Sequence, residues 1–182
     1  IASSIFLFLL YFLGYHKIFF RGPYGMHFMR QTDSLSFVSQ YFNNGFHFFE
    51  PQLFNLKNID GRAACEFPIL YYLTSILYLI LGKKLFLLKF IHLLISFTGL
   101  FYVYRLAYLI LKDYVYSILI ALFLCTSTVF NFYAFNYLPD APALGFVFIA
   151  WYYVFHYQQS GAKSSGIKAF IFFTLSSLIK VT

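Results

Sequence analysis

Apolar residues run almost unbroken along the stretches at about 1–20, 86–111, 114–133, 141–157 and 167–182. Each is near the roughly 20 residues that a helix rising about 1.5 Å per residue needs to cross about 30 Å of hydrocarbon. Between the first two lies a contrasting segment, Arg21 to Glu66, rich in Gly, Pro, Asn and Asp and holding several of the histidines. Its backbone cannot be satisfied within lipid, so a large loop outside the bilayer core is predicted. Inside that loop Leu35, Val38, Tyr41 and Phe42 recur at helical spacing, preceded by Thr32 and Asp33 as candidate caps and followed by Gly45. The pattern predicts a short amphipathic helix over about 33–44, lying along the membrane surface.

The apolar run from Phe67 to Leu81 ends at Gly82-Lys83-Lys84 and is short for a span. Runs of that length are more often interfacial or re-entrant helices, and Pro68 near its start suits the first turn of such a helix over about 67–82. If it does not cross, Asp33, Glu66 and Asp140 share one side of the membrane. Arg105, Lys112, Lys163 and Lys168, expected in short loops, then fall on the cytoplasmic side, as the positive-inside tendency prefers. If it crosses, Asp140 lies opposite Asp33. Charge counting leaves both arrangements open, and run length favours the first. Ser160 to Gly166 reads as a turn. Ile1 and Thr182 both fall within apolar runs, so the chain reads as the N-terminal portion of a longer protein, organised as one membrane domain with one elaborated loop.

Composition agrees with an integral membrane protein. Of 182 residues 61% are hydrophobic and only 10% charged, against roughly 25% charged in soluble domains. This excludes both a soluble globular domain and a disordered chain. The net charge of +7 arises from 13 Lys and Arg against six carboxylates. Without basic runs interleaved with exposed aromatics, that excess suits lipid headgroups better than nucleic acid. Cys65 and Cys125 fall in different environments, so a disulfide between them is not expected. Neither a phosphate-binding glycine loop nor a nucleophile elbow is present.

Ionisable groups at a membrane boundary are costly to desolvate, which makes the carboxylates the first candidates for chemistry. Asp113 beside Lys112 reads as part of a polar turn, and Glu50 and Asp60 as loop-surface residues. Asp33 is either a helix cap or a general base positioned to deprotonate an acceptor. Glu66 stands where the loop returns to the bilayer, and Asp140 opens a span between Pro139 and Pro142. Of the histidines, His16, His27 and His47 surround the loop and His92 and His156 lie in spans. None has metal-motif spacing, and His27 is the foremost candidate for ligation because it is near Arg30 and Asp33.

In order along the chain come a span, Arg30-Gln-Thr-Asp33, a surface helix, Cys65-Glu-Phe-Pro-Ile-Leu-Tyr-Tyr72, Gly82, two spans, Asn136-Tyr-Leu-Pro-Asp-Ala-Pro142 and Ser176-Ser-Leu-Ile-Lys180. This arrangement resembles the GT-C integral-membrane glycosyltransferases, in the branch of protein mannosyltransferases and lipid A aminoarabinose transferases. The resemblance implies an all-α polytopic bundle in the plasma (inner) membrane with an extracytoplasmic active site. The implied reaction is inverting transfer of a sugar from a polyprenyl-phosphate donor to a lipid, glycan or protein acceptor. Asp33 matches the carboxylate that in the family serves as catalytic base or orients the acceptor, and Glu66 and Asp140 match residues lining the same cavity. A divalent cation held by Glu66 and Asp140 is the one cofactor that can be entertained. Such chemistry also needs cations for the departing phosphate, and Arg30, Lys57 and Arg62 are the loop candidates. The aminoarabinose branch has Lys after the glutamate where this chain has Phe67, so that cation must come from elsewhere.

A transporter or channel is the rival reading, with the boundary carboxylates lining an ion or substrate path and Asp140 marking a broken helix. A noncatalytic scaffold is a third. Single cysteines placed beside positions 33 and 140, in a background lacking Cys65 and Cys125, are expected to react alike with an impermeant thiol reagent outside intact cells. Labelling from opposite sides would mean that 67–81 crosses the bilayer.

Overall fold

The computed structural model describes residues 8, 11, 12, 14–54 and 61–180. The fold is all-α: α1 (Tyr15–Phe19), α2 (Phe28–Asn43), α3 (Ile69–Leu81), α4 (Phe86–Leu111), α5 (Tyr114–Cys125), α6 (Thr128–Ala134), α7 (Asp140–Ser160) and α8 (Lys163–Ile179). Among the described residues the only β pairing is an isolated antiparallel bridge between Gln52 and Arg62. Helix α4 is central, packing on α3, α5, α6 and α7, while α8 packs on the far side of α7. Half of the expected first span at 1–20 lies outside the described residues, and the described half is not one continuous helix: Gly14, at φ 75°, is a turn residue from which the short α1 starts.

Helix α2 begins earlier than the expected 33–44. Gln31 is fully buried, and its Nε2 donates to the carbonyls of Tyr24 and Met26, both at 2.8 Å, while its Oε1 accepts from the Tyr24 amide at 3.2 Å. These bonds secure the preceding turn and let the helix start at Phe28. Asp33 is therefore inside the helix on its exposed side and does not cap it. The helix buries Leu35, Phe37, Val38 and Tyr41 against α3. Helix α3 starts after Pro68 and runs 13 residues, a rise of about 20 Å that falls short of a bilayer core.

Among the described residues, α4 is the one helix that is by itself long and apolar enough to cross a membrane, with 26 residues. The expected span at 114–133 is broken: α5 and α6 meet at 66°. The break follows from Cys125-Thr-Ser-Thr, whose side chains compete for backbone groups. Ser127 Oγ accepts from the Phe130 amide at 3.3 Å and so caps α6, and Asn131 Nδ2 donates to the Cys125 carbonyl at 2.6 Å. Asp113 caps α5, accepting from the amides of Val115 and Tyr116 at 2.7 and 3.1 Å. The expected spans at 141–157 and 167–182 are helices α7 and α8, of 21 and 17 residues. The polar turn between them is confined to Gly161 and Ala162, and the 163–166 stretch is helical. Arg105 and Lys168 likewise lie inside helices, not in loops.

Two glycines set the spacing of the central pair. A Cβ on Gly99 of α4 would lie 2.5 Å from the Gly145 Cα, and one on Gly145 of α7 would lie 2.8 Å from the Ile95 carbonyl oxygen. Only hydrogen-sized side chains permit this backbone contact, the arrangement that small residues allow between closely packed helices. Across the next interface, Ser176 Oγ of α8 donates to the Ala143 carbonyl of α7 at 2.8 Å.

Polar residues are buried while apolar ones face outward. Lys89, His92, Ser96, Ser117, Asn131 and Asn136 are fully buried, whereas Val115, Leu119 and Phe123 are exposed. Lys89 Nζ donates to the carbonyls of Ile18 and Arg21 at 2.9 and 2.6 Å and lies 4.5 Å from the Tyr137 ring centroid. The Tyr137 hydroxyl also donates to the Arg21 carbonyl, at 3.0 Å. One buried ammonium thus fastens the end of α1 and the 135–139 turn to α4.

Gly99→Ala is expected to lower stability by about 1–3 kcal/mol, because the displaced groups are backbone atoms. Gly166→Ala should be neutral or stabilising, since its Cβ would meet only the Tyr157 ring at 3.6 Å and alanine favours a helix. Thermal unfolding in detergent would distinguish the two, and equal effects would refute the contact argument.

Candidate functional site

Chain segments distant in sequence meet at the end of the bundle where α7 starts and α8 finishes. The loop returning to α3 is tied there by its backbone, with the Phe67 amide donating to the Leu178 carbonyl at 3.1 Å. Beyond α8, Lys180 places its ammonium 3.4 Å from Glu66 Oε1 and 3.4 Å from Asp140 Oδ1. Arg30 Nη2 approaches the same Glu66 oxygen at 3.4 Å. The charged groups form one chain, Arg30–Glu66–Lys180–Asp140, with both cations converging on Glu66.

A cavity of about 410 Å³ opens beside this chain. Arg30, Asp33, Glu66 and Tyr71 contribute its polar lining, and Phe37, Leu138 and Pro139 form apolar walls. The periodicity of α2 explains part of this arrangement. Arg30, Asp33, Ser34 and Phe37 recur at helical intervals of three and four, which brings them onto one face. Tyr71 comes from the first turn of α3, and its hydroxyl is 3.3 Å from Ser34 Oγ. Burial pushes the Tyr71 phenol well above its usual pKa, so it stays protonated.

Asp140 opens α7, where the free amides of a helix start favour a negative charge. Its Oδ1 faces Lys180, while its Oδ2 is buried without a hydrogen-bond partner. On the neighbouring turn, Asn136 Oδ1 accepts from the Tyr137 amide at 2.7 Å, leaving the Asn136 Nδ2 donor buried and unpartnered. His92 reaches this turn from α4, with Nδ1 3.2 Å from the Asn136 carbonyl. A carbonyl can only accept, so Nδ1 carries the hydrogen. In the neutral ring Nε2 is then an acceptor, and it too is buried without a partner. The packed end of the bundle beside the cavity therefore holds unpartnered acceptors at His92 and Asp140 and an unpartnered donor at Asn136.

The structure separates the other candidates. Arg62 does not line the cavity; its Nη2 pairs with Glu50 at 3.1 Å on the exposed loop. Lys57 lies outside the described residues, as does Asp60. His27, the foremost histidine candidate, faces the Tyr133 hydroxyl at 3.4 Å and does not line the cavity. His156 contacts Ser165 Oγ at 3.0 Å near the opposite end of α7. Both cysteines are free thiols. Glu66 and Asp140, the pair considered for a divalent cation, are both ion-paired in this structure. They share the Lys180 ammonium, and among the described residues no three His, Cys, Asp or Glu side chains gather as metal ligands.

Lys180 is the principal site residue that candidate selection by loop position overlooks. The available signal was a lone lysine at the end of an otherwise apolar run, a placement that marks function by default. Lys89 and His92 carry the same signal within the α4 run.

Comparison with protein-family models, curated proteins and solved structures found no match.

Cys65 also lines the cavity. Burial, together with the neighbouring Glu66 carboxylate, pushes its thiol up to about 11. Since the thiolate is the nucleophile, alkylation of Cys65 in a Cys125→Ala background should rise about tenfold per pH unit between pH 8 and 10. Glu66→Gln should speed it at fixed pH by removing the carboxylate contribution. A rate that levels off below pH 9, followed by mass spectrometry, would contradict the burial of this thiol.

Proposed function

We propose that this chain is the N-terminal membrane module of a GT-C-like glycosyltransferase that moves a sugar from a polyprenyl-phosphate donor to a lipid, glycan or protein acceptor. The observation that carries the reading is the convergence described above. The four segments Arg30–Asp33, Cys65–Pro68, Asn136–Pro142 and Ser176–Lys180 meet through the cavity, three ion pairs and the hydrogen bonds from Phe67 and Ser176.

A multi-pass placement is part of the proposal. It draws on α4 and on the outward apolar faces of helices that bury Lys, His, Ser and Asn. Water would penalise that distribution and lipid would favour it. The membrane is the plasma (inner) membrane and the cavity is extracytoplasmic. An apolar groove of about 720 Å³ along α4, lined by Phe90, Leu93, Leu94, Phe97 and Phe101 among others, has surface chemistry suited to a prenyl chain.

In this reading Asp33 Oδ accepts the proton of the acceptor hydroxyl or amine as that atom attacks the anomeric carbon. The bond from that carbon to the phosphate oxygen breaks on the opposite face, its electron pair leaving with the polyprenyl phosphate and the configuration inverting. Arg30 and Lys180 offset the charge that develops on the phosphate. Glu66 holds both cations in place. Lys180 thereby supplies the positive charge that Phe67 does not. No step runs through a metal.

The transporter alternative rests on one observation, the 66° break between α5 and α6, since broken helices border binding sites in transporters. The same experiment separates the readings. Asp33→Asn and Asp33→Ala are expected to reduce polyprenyl-linked sugar transfer by membranes carrying the full-length protein at least 100-fold, the scale of a lost general base. Asp33→Glu should retain a measurable fraction. Unchanged transfer in Asp33, Glu66 and Asp140 alanine variants would overturn the enzyme reading.

A further inference from the structure

The helices that build the candidate site carry a second polar cluster about 20 Å farther along their axes. Arg105 of α4 lies over the Tyr152 ring of α7, its guanidinium carbon 4.7 Å from the centroid, and also faces Tyr102 at 6.0 Å. From α8, Lys168 Nζ stands 5.3 Å from the centroid of Tyr153. The Tyr102 and Tyr153 hydroxyls are 3.2 Å apart, joining α4 to α7. Each ring of the hydroxyl pair thus has a cation beside it, Arg105 at Tyr102 and Lys168 at Tyr153.

Neither cation has a carboxylate partner among the described residues. Among the described residues the one acid near this end of the bundle, Asp113, is committed to capping α5. Arg105 and Lys168 are exposed but held in place by aromatic faces, which limits the entropy lost when an anion binds. Two hydroxyls bonded to each other use one hydrogen between them, leaving the second free to donate. Two fixed cations and a spare hydroxyl donor match a phosphate carrying one negative charge.

We propose that Arg105, Lys168 and the Tyr102–Tyr153 hydroxyl pair bind the phosphate of an anionic phospholipid headgroup on the membrane face opposite the candidate site. The assignment rests on the membrane placement proposed above but not on glycosyl transfer. A lipid is favoured over free phosphate because the flanking surface is apolar. Phe101, Ile167, Phe170 and Ile171 are exposed around the two cations, so an acyl chain continues the contact that the headgroup begins. Arg and Lys within two turns of a helix end can extend their charged ends to headgroup depth.

The chain has a single tryptophan, Trp151, which precedes Tyr152 and is half-exposed. Its fluorescence reports the surrounding lipid. In nanodiscs, brominated phosphatidylglycerol should quench Trp151 at least twofold more than brominated phosphatidylcholine at equal mole fraction. Arg105→Gln combined with Lys168→Gln should abolish that preference, whereas Lys168→Arg should preserve it. Lys83→Gln with Lys84→Gln, at the far end of α4, should leave it unchanged. Helical circular dichroism of the double glutamine variant should match the parent. Equal quenching by the two lipids would overturn the proposal. So would a preference that survives Arg105→Gln with Lys168→Gln, one lost with Lys83→Gln and Lys84→Gln, or one that inorganic phosphate displaces. Sugar transfer is measured separately, so failure here leaves the enzyme reading standing or falling on its own test.

Discussion

The backbone contact between Gly99 of α4 and Gly145 of α7 is the constraint from which the rest of the arrangement follows. It draws the two helices close enough for His92 to reach the turn before α7 and for Tyr102 to bond Tyr153. The same crossing fixes the azimuth of α7, which then presents Ala143 to Ser176 and Asp140 to Lys180. A side chain at either glycine would separate the helices, and these polar contacts, distributed along their length, would lengthen together.

Lys89 has the complementary role at the edge of the bundle. A buried ammonium is costly unless its hydrogens are donated; here two go to backbone carbonyls at the end of α1, with an aromatic ring alongside. The carbonyls at that helix end need donors in any case. One residue thus satisfies the helix end while anchoring it to α4, and the loop that carries α2 leaves from a defined point. Asp33 owes its place beside Glu66 to this anchoring and to Gln31, which closes the first turn of α2.

The site couples charge to tertiary structure. Lys180 comes after the last helix, Glu66 precedes α3, Asp140 opens α7 and Arg30 belongs to α2. The two cations and two carboxylates compensate one another, and Asp33 lines the same cavity outside that ion-pair chain.

Apolar periodicity by itself determined that the described chain is helical and that a helix covers 86–111 with unchanged boundaries, and run length favoured an interfacial placement for the stretch after Pro68. It also marked Asp33, Glu66 and Asp140 as the carboxylates worth attention, because an acid at an apolar boundary stands out locally. Tertiary structure decided what depends on partners distant in sequence. The early start of α2 required Gln31 to find Tyr24 and Met26. The break after Cys125 required Ser127 and Asn131 to compete for backbone groups that a uniform apolar run would have kept. Lys180 looked like the end of a span until folding set it between Glu66 and Asp140, and Arg62 looked available until Glu50 paired with it. Hydropathy reports how a residue partitions between phases. Which charge it meets there depends on the crossing of helices, and in this chain two glycines and one buried lysine control that crossing.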